Sequence, residues 1–160
     1  MTGADVLLAV LALGVAIFLS RGSRLLVAAL LIASALAVSA MLFLPTPLLT
    51  GLLGADCVQR LYGLTRSTPL DPPEWIHLLA FAWLGLLVWL ARKDVRNWRG
   101  VVLVIALGVA AELSQRLTDG RQPKLEDAAL NVLGGLTGML LASRCCALAA
   151  RCHRGGTRAE

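Results

Sequence analysis

Apolar residues run along this chain in five long blocks, roughly Asp5–Ser20, Leu25–Leu44, Trp75–Ala91, Val101–Leu117 and Ala128–Leu148, with charges gathered between them. Length and near-continuous apolarity distinguish such blocks from the one-sided stripe of a soluble helix. A perpendicular membrane span takes about 20 residues, with a range of about 17–25. The first and fourth blocks sit near the short limit, so their polar ends must lie close to the interface. The pattern predicts an all-α, polytopic transmembrane helix bundle of about five spans. Four spans plus one re-entrant piece is the alternative. In the segment from Pro45 to Pro73, Leu48, Leu49, Leu52, Leu53, Cys57, Leu61 and Leu64 recur at helical spacing, with Asp56, Gln59 and Arg60 on other faces. This predicts an amphipathic helix in the outer interface, either a passive surface element or a lid.

Composition agrees with a membrane solvent. Of the 160 residues, 58% are hydrophobic and 16% charged, and the mean hydropathy is +0.75. Soluble domains run to about 45–50% apolar and about 25% charged. The length suits one bundle, residues 1–150, followed by a basic tail over 151–160 that is expected to be disordered or held to anionic lipid. No internal repeat is visible. The net charge of +5 is divided into short clusters, which excludes a nucleic-acid-binding face and points instead to topology. Cys57, Cys145, Cys146 and Cys152 do not form a secreted disulfide framework. The N-terminal block has no basic leader and no small-residue cleavage site, so it is expected to be retained as a helix.

The charge clusters predict an orientation. Arg21, Arg24, Arg92, Lys93, Arg96, Arg99, Arg144, Arg151, Arg154 and Arg158 all fall on one side of a five-span arrangement, against Asp94 and Glu160 as its only acids. That side is the cytoplasm by the positive-inside rule. The N-terminus is then outside and the C-terminus inside, in a bacterial inner membrane.

Ionisable groups within spans are costly, so each is a site candidate. His77 lies near the start of the third block. Glu112 and Gln115 share a face of the fourth, followed by Arg116. Asp127 and Asn131, four apart, share a face of the fifth. Three helices thereby direct a histidine, two carboxylates and two amides to one level at the outer end. Plainer roles exist for each. Asp71-Pro72-Pro73-Glu74 reads as a helix start with Asp71 as N-cap and Glu74 closing a capping box. Glu126 and Asp127 suit a helix dipole, Gln115 and Asn131 can bond between helices, and Glu112 can pair with Arg116 or Arg121. Gly134 and Gly138 form a G-x-x-x-G that allows close helix packing. Cys145, Cys146, Cys152 and His153 lack a usual zinc spacing, so no metal and no cofactor is expected. No P-loop, dinucleotide-binding, H-E-x-x-H or G-x-S-x-G pattern is present.

The stretch AELSQRLTDGRQPKLEDAALNVLGGLTG resembles the signature of VanZ-like membrane proteins, E-x-x-Q, then G-R, then D-x-x-x-N-x-x-G-x-x-x-G. The matching positions are Glu112, Gln115, Gly120, Arg121, Asp127, Asn131, Gly134 and Gly138. WIHLLAFAWLG is similar to the family's segment around its histidine, with His77 and Phe81 in place. The resemblance covers about residues 71–142. Where relatives often carry D-K-x-x-H, Pro73 and Glu74 stand here, and no lysine replaces the missing one. The resemblance implies a small bacterial cell-envelope protein of a family whose name-giving member is linked to teicoplanin resistance. It implies no particular catalytic activity.

Three functions remain open. A non-enzymatic protein would bind a membrane lipid, a lipid-linked glycan or a membrane-protein partner through the outer cluster, with Gln115, Arg121 and Asn131 as ligand-binding residues. An intramembrane enzyme on a lipid or lipid-linked precursor would use Glu112 or Asp127 as base and His77 as acid, or hold a divalent ion with all three. A transporter would carry its polar groups to the midplane and often show repeated halves, neither of which the pattern offers.

Overall fold

A computed structural model describes residues 3–43, 68–115 and 124–156, with positions 51, 54, 60 and 63 in addition. Its described residues form five α-helices: α1 (Gly3–Ser20), α2 (Leu25–Phe43), α3 (Pro72–Ala91), α4 (Trp98–Gln115) and α5 (Leu125–Gly156). A short 3-10 turn, Lys93–Val95, joins α3 to α4. No strand occurs among the described residues, so the all-helical expectation is met. The amphipathic helix expected over Leu48–Leu64 lies outside the described residues. α5 is longer than its apolar block. The Ala- and Leu-rich stretch from Ala147 favours helix, and the helix runs on through Arg151 to Gly156, into the tail expected to be disordered or held to anionic lipid.

Two helices are long and apolar enough to cross a membrane, Glu74–Ala91 and Leu125–Arg151. Val6–Ser20 and Leu25–Ala37 are shorter apolar helices, and α4 carries Arg99, Glu112 and Gln115 near its ends. Large apolar side chains nevertheless face outward on all five helices, among them Leu7, Leu26, Leu79, Val102 and Leu140. Such a surface is unfavourable in water and fits lipid.

The centre of the bundle is the parallel pair α3 and α5. A Cβ added at Gly134 would fall on the Leu78 carbonyl, one at Gly138 on the Ala82 carbonyl, and one at Gly85 on the Gly135 carbonyl. These are backbone-to-backbone contacts that no side chain can enter. α4 runs antiparallel along α5, with Gly135 facing Val104 and Gly108 facing Asn131 and Val132. α1 and α2 pack on the far half of α3. There Leu19, Leu31, Leu87, Val88, Ala91 and Val95 form the apolar core, and Trp83 Nε1 donates to Ser34 Oγ at 2.8 Å across the α2–α3 contact.

At the α3–α4 corner, Arg92 holds Asp94 in a two-pronged pair, Nε to Oδ1 at 2.8 Å and Nη2 to Oδ2 at 2.6 Å. Its guanidinium also lies 5.4 Å from the centre of the Phe18 ring at the end of α1. The Arg92 hydrogen bonds hold the Asp94 carboxyl down at about 2. A depressed carboxyl stabilises the folded state above the unfolded value and loses that effect as pH falls through the folded value.

Three outcomes are expected. Gly138→Val should destabilise the detergent-solubilised protein by roughly 1–3 kcal/mol or more, the range for overpacking. Gly14→Ala meets nothing within 4 Å, so it should be neutral or stabilising by up to about 1 kcal/mol. Thermal unfolding followed by circular dichroism reads both. Asp94→Asn should lower the melting temperature at pH 7, and its difference from wild type should vanish as pH falls from about 4 towards about 2.

Candidate functional site

The end of the bundle that carries His77, Glu112 and Asp127 is built from three helix termini. α3 opens at Asp71, whose extended backbone (φ −71°, ψ 156°) leads into the two prolines. Its N–H donates to Glu74 Oε2 at 2.8 Å, so Glu74 satisfies a group that the first turn leaves unpaired. Trp75 Nε1 donates to Thr68 Oγ1 at 2.9 Å and ties down the preceding segment. This start places His77 in the second turn of α3. Glu112 sits in the last turn of α4, and Asp127 in the first turn of α5 with Asn131 one turn further on.

The side chains meet around Asn131, which is completely buried. Its amide nitrogen donates to Glu112 Oε1 at 3.2 Å and, at 3.4 Å, to the Gly108 carbonyl. With the nitrogen so committed, Oδ1 is the acceptor for His77 Nδ1 at 2.9 Å. The His77 proton is thereby assigned to Nδ1, which leaves the lone pair on Nε2. His77 Nδ1 is also 3.6 Å from Glu112 Oε1. Glu112 is itself buried, 4% exposed, and its other oxygen lies 3.4 Å from the Lys124 N–H, just before α5. The carboxylate thus faces the helix N-terminus, where the dipole favours negative charge.

Asp127 completes the group from the half-buried first turn of α5. A ring nitrogen of His77 and one carboxylate oxygen each from Glu112 and Asp127 lie within 4.8 Å of one another. An oriented imidazole with a free lone pair beside carboxylates can accept a proton, donate hydrogen bonds when protonated, or ligate a cation. The His77 side chain is 22% exposed, so the site is reached from the side of His77 and Asp127.

Four sequence-derived residues, His77, Glu112, Asp127 and Asn131, therefore stand together. Gly134 and Gly138 lie deeper along α5 in the contact with α3. Gln115 closes α4, but its side chain, like Arg116, Gly120 and Arg121, is outside the described residues. Ser114 donates its hydroxyl to its own helix, to the Ala111 carbonyl at 2.6 Å. Cys145 and Cys146 are free and exposed on α5. Sequence reasoning missed the Gly108 carbonyl and the Lys124 N–H, because backbone groups leave no signal in residue type.

Asn131→Ala removes a donor to two acceptors and the acceptor for His77. It should cost about 2–3 kcal/mol, the penalty for leaving buried polar groups unsatisfied. Asn97→Ala at the exposed opposite end removes only the N-cap bond to the Arg99 N–H and should cost less, about 1 kcal/mol. Thermal unfolding of the two purified variants checks the contrast.

Comparison with known proteins places this geometry. No curated protein and no solved structure matches the chain. The family model described as VanZ/LLP1 matches residues 6–148, which takes in all five helices and every residue of the cluster. The chain belongs to the VanZ/LLP1 family.

Proposed function

We propose that this protein is a five-span component of the bacterial inner membrane, with its N-terminus outside and its C-terminus in the cytoplasm. Its His77–Glu112–Asp127–Asn131 cluster binds the polar head group of a lipid or lipid-linked glycan at the outer leaflet and thereby alters susceptibility to glycopeptide antibiotics. The observation that carries this reading is the convergence of one imidazole, two carboxylates and a fully buried amide from three helices. Polar groups at membrane depth are expensive, and bundle packing alone needs no cluster with an exposed histidine edge. The alternation of helix direction and the gathering of basic residues at one end support the five-span topology. α5, with 32 residues, is about 48 Å long at ~1.5 Å per residue. That exceeds the ~30 Å hydrocarbon core, so its arginine-rich end extends to the cytoplasmic head groups. Membership of the VanZ/LLP1 family supports the antibiotic phenotype.

A second reading, an intramembrane enzyme on a lipid or lipid-linked precursor, is favoured by one detail. Asn131 fixes His77 with its Nε2 lone pair available, next to a buried carboxylate. That is the arrangement of a general acid–base pair.

The test is teicoplanin and vancomycin susceptibility in a host lacking an outer membrane. It compares empty vector, wild type, His77→Ala, Glu112→Gln and Asp127→Asn at matched membrane abundance. Wild type should raise the inhibitory concentration of teicoplanin several-fold, and folded cluster variants should lose that protection. Unchanged susceptibility with wild type present would sink the antibiotic reading. Binding without catalysis tolerates Glu112→Gln better than loss of Arg121, whereas acid–base chemistry does not survive Glu112→Gln.

A further inference from the structure

We propose that His77, Glu112 and Asp127 form a site for a first-row divalent cation, Mn2+ or Zn2+, at the outer end of the bundle. This goes beyond the head-group reading and does not depend on it. The first ground is position. The three ligand atoms come from three different helices and already lie within 4.8 Å of one another. Metal–ligand bonds of about 2.0–2.2 Å put neighbouring ligand atoms roughly 3–4 Å apart, so small side-chain rotations around a fixed backbone close the shell.

The second ground is the support beneath the ligands. Asn131 is completely buried and bonds to two of the three ligands at once, accepting from His77 and donating to Glu112. Outer-shell partners of this kind fix the tautomer of a ligating imidazole and the rotamer of a ligating carboxylate. Asp127 stands in the first turn of α5, where the helix dipole suits a carboxylate, and a shared cation converts the repulsion between it and Glu112 into attraction.

The donor set selects the ion. One nitrogen and two oxygens suit Mn2+ or Zn2+, whereas Ca2+ and Mg2+ prefer shells of oxygen alone. Three protein ligands also leave coordination positions open on the half-exposed side of His77 and Asp127, where water or an anionic group can enter.

The experiment uses the full chain purified in detergent, stripped with EDTA, and dialysed against Mn2+ or Zn2+, with metal per chain read by mass spectrometry. Wild type is compared with Asp127→Asn, with His77→Gln, and with a tail variant carrying Cys145→Ser, Cys146→Ser, Cys152→Ser and His153→Gln. Wild type and the tail variant should bind about one ion per chain, and Asp127→Asn and His77→Gln should weaken affinity at least about tenfold. Unchanged thermal unfolding of the metal-free variants separates loss of a ligand from loss of the fold. Mn2+ resonance should show nitrogen coupling in wild type that disappears in His77→Gln. Failure of wild type to bind stoichiometric metal overturns the proposal. So does metal that survives both ligand substitutions, or that disappears only in the tail variant.

Discussion

The approach of α3 to α5 at Gly134 and Gly138 governs the architecture. Between helices in lipid there is little hydrophobic force, since the surrounding chains are as apolar as leucine. Association then depends on close van der Waals contact and on hydrogen bonds. Hydrogen atoms at these two glycines let the Leu78 and Ala82 carbonyls lie directly against the α5 backbone. The same contact sets the register of the parallel pair. Asn131, one turn before Gly134, is brought beside His77, one residue before Leu78, and their side chains meet at 2.9 Å.

That register makes a buried carboxylate tolerable. An ionised group without partners in a low-dielectric interior costs far more than a domain's whole stability. Glu112 avoids this through the Asn131 amide, the His77 ring and the Lys124 N–H at the positive end of α5. The arrangement is cooperative, because Asn131 serves Glu112 only while α5 remains in register with α4, and His77 only while it remains in register with α3. The opposite end of the bundle works differently. There Arg92 and Asp94 pair in the open and close a corner with no buried charge to support. One end closes a corner with an exposed ion pair, and the other gathers buried polar groups.

Membership of the VanZ/LLP1 family and the geometry of the cluster answer different questions. The family match states kinship over residues 6–148. The cluster presents chemistry, with an imidazole bonded to a buried amide and two carboxylates near one point, on the half-buried edge formed by His77 and Asp127.

The apolar blocks were enough to determine five helices and most of their limits, because continuous hydrophobicity between charge clusters leaves the backbone no other way to satisfy its hydrogen bonds in lipid. The i to i+4 spacing of Asp127 and Asn131 likewise fixed their common face, and Gly134-x-x-x-Gly138 announced a close contact without naming the partner helix. Tertiary structure alone decided that this partner is α3, that Asn131 bridges His77 and Glu112, and that the Gly108 carbonyl and Lys124 N–H bond to that pair. It also carried α5 past Arg151 to Gly156. The physical reason is common to all of these. Helical periodicity is local and survives in a one-dimensional pattern, whereas register between helices depends on contacts between residues 19 to 56 positions apart, such as Leu78 with Gly134 at the long end of that range and Glu112 with Asn131 at the short end.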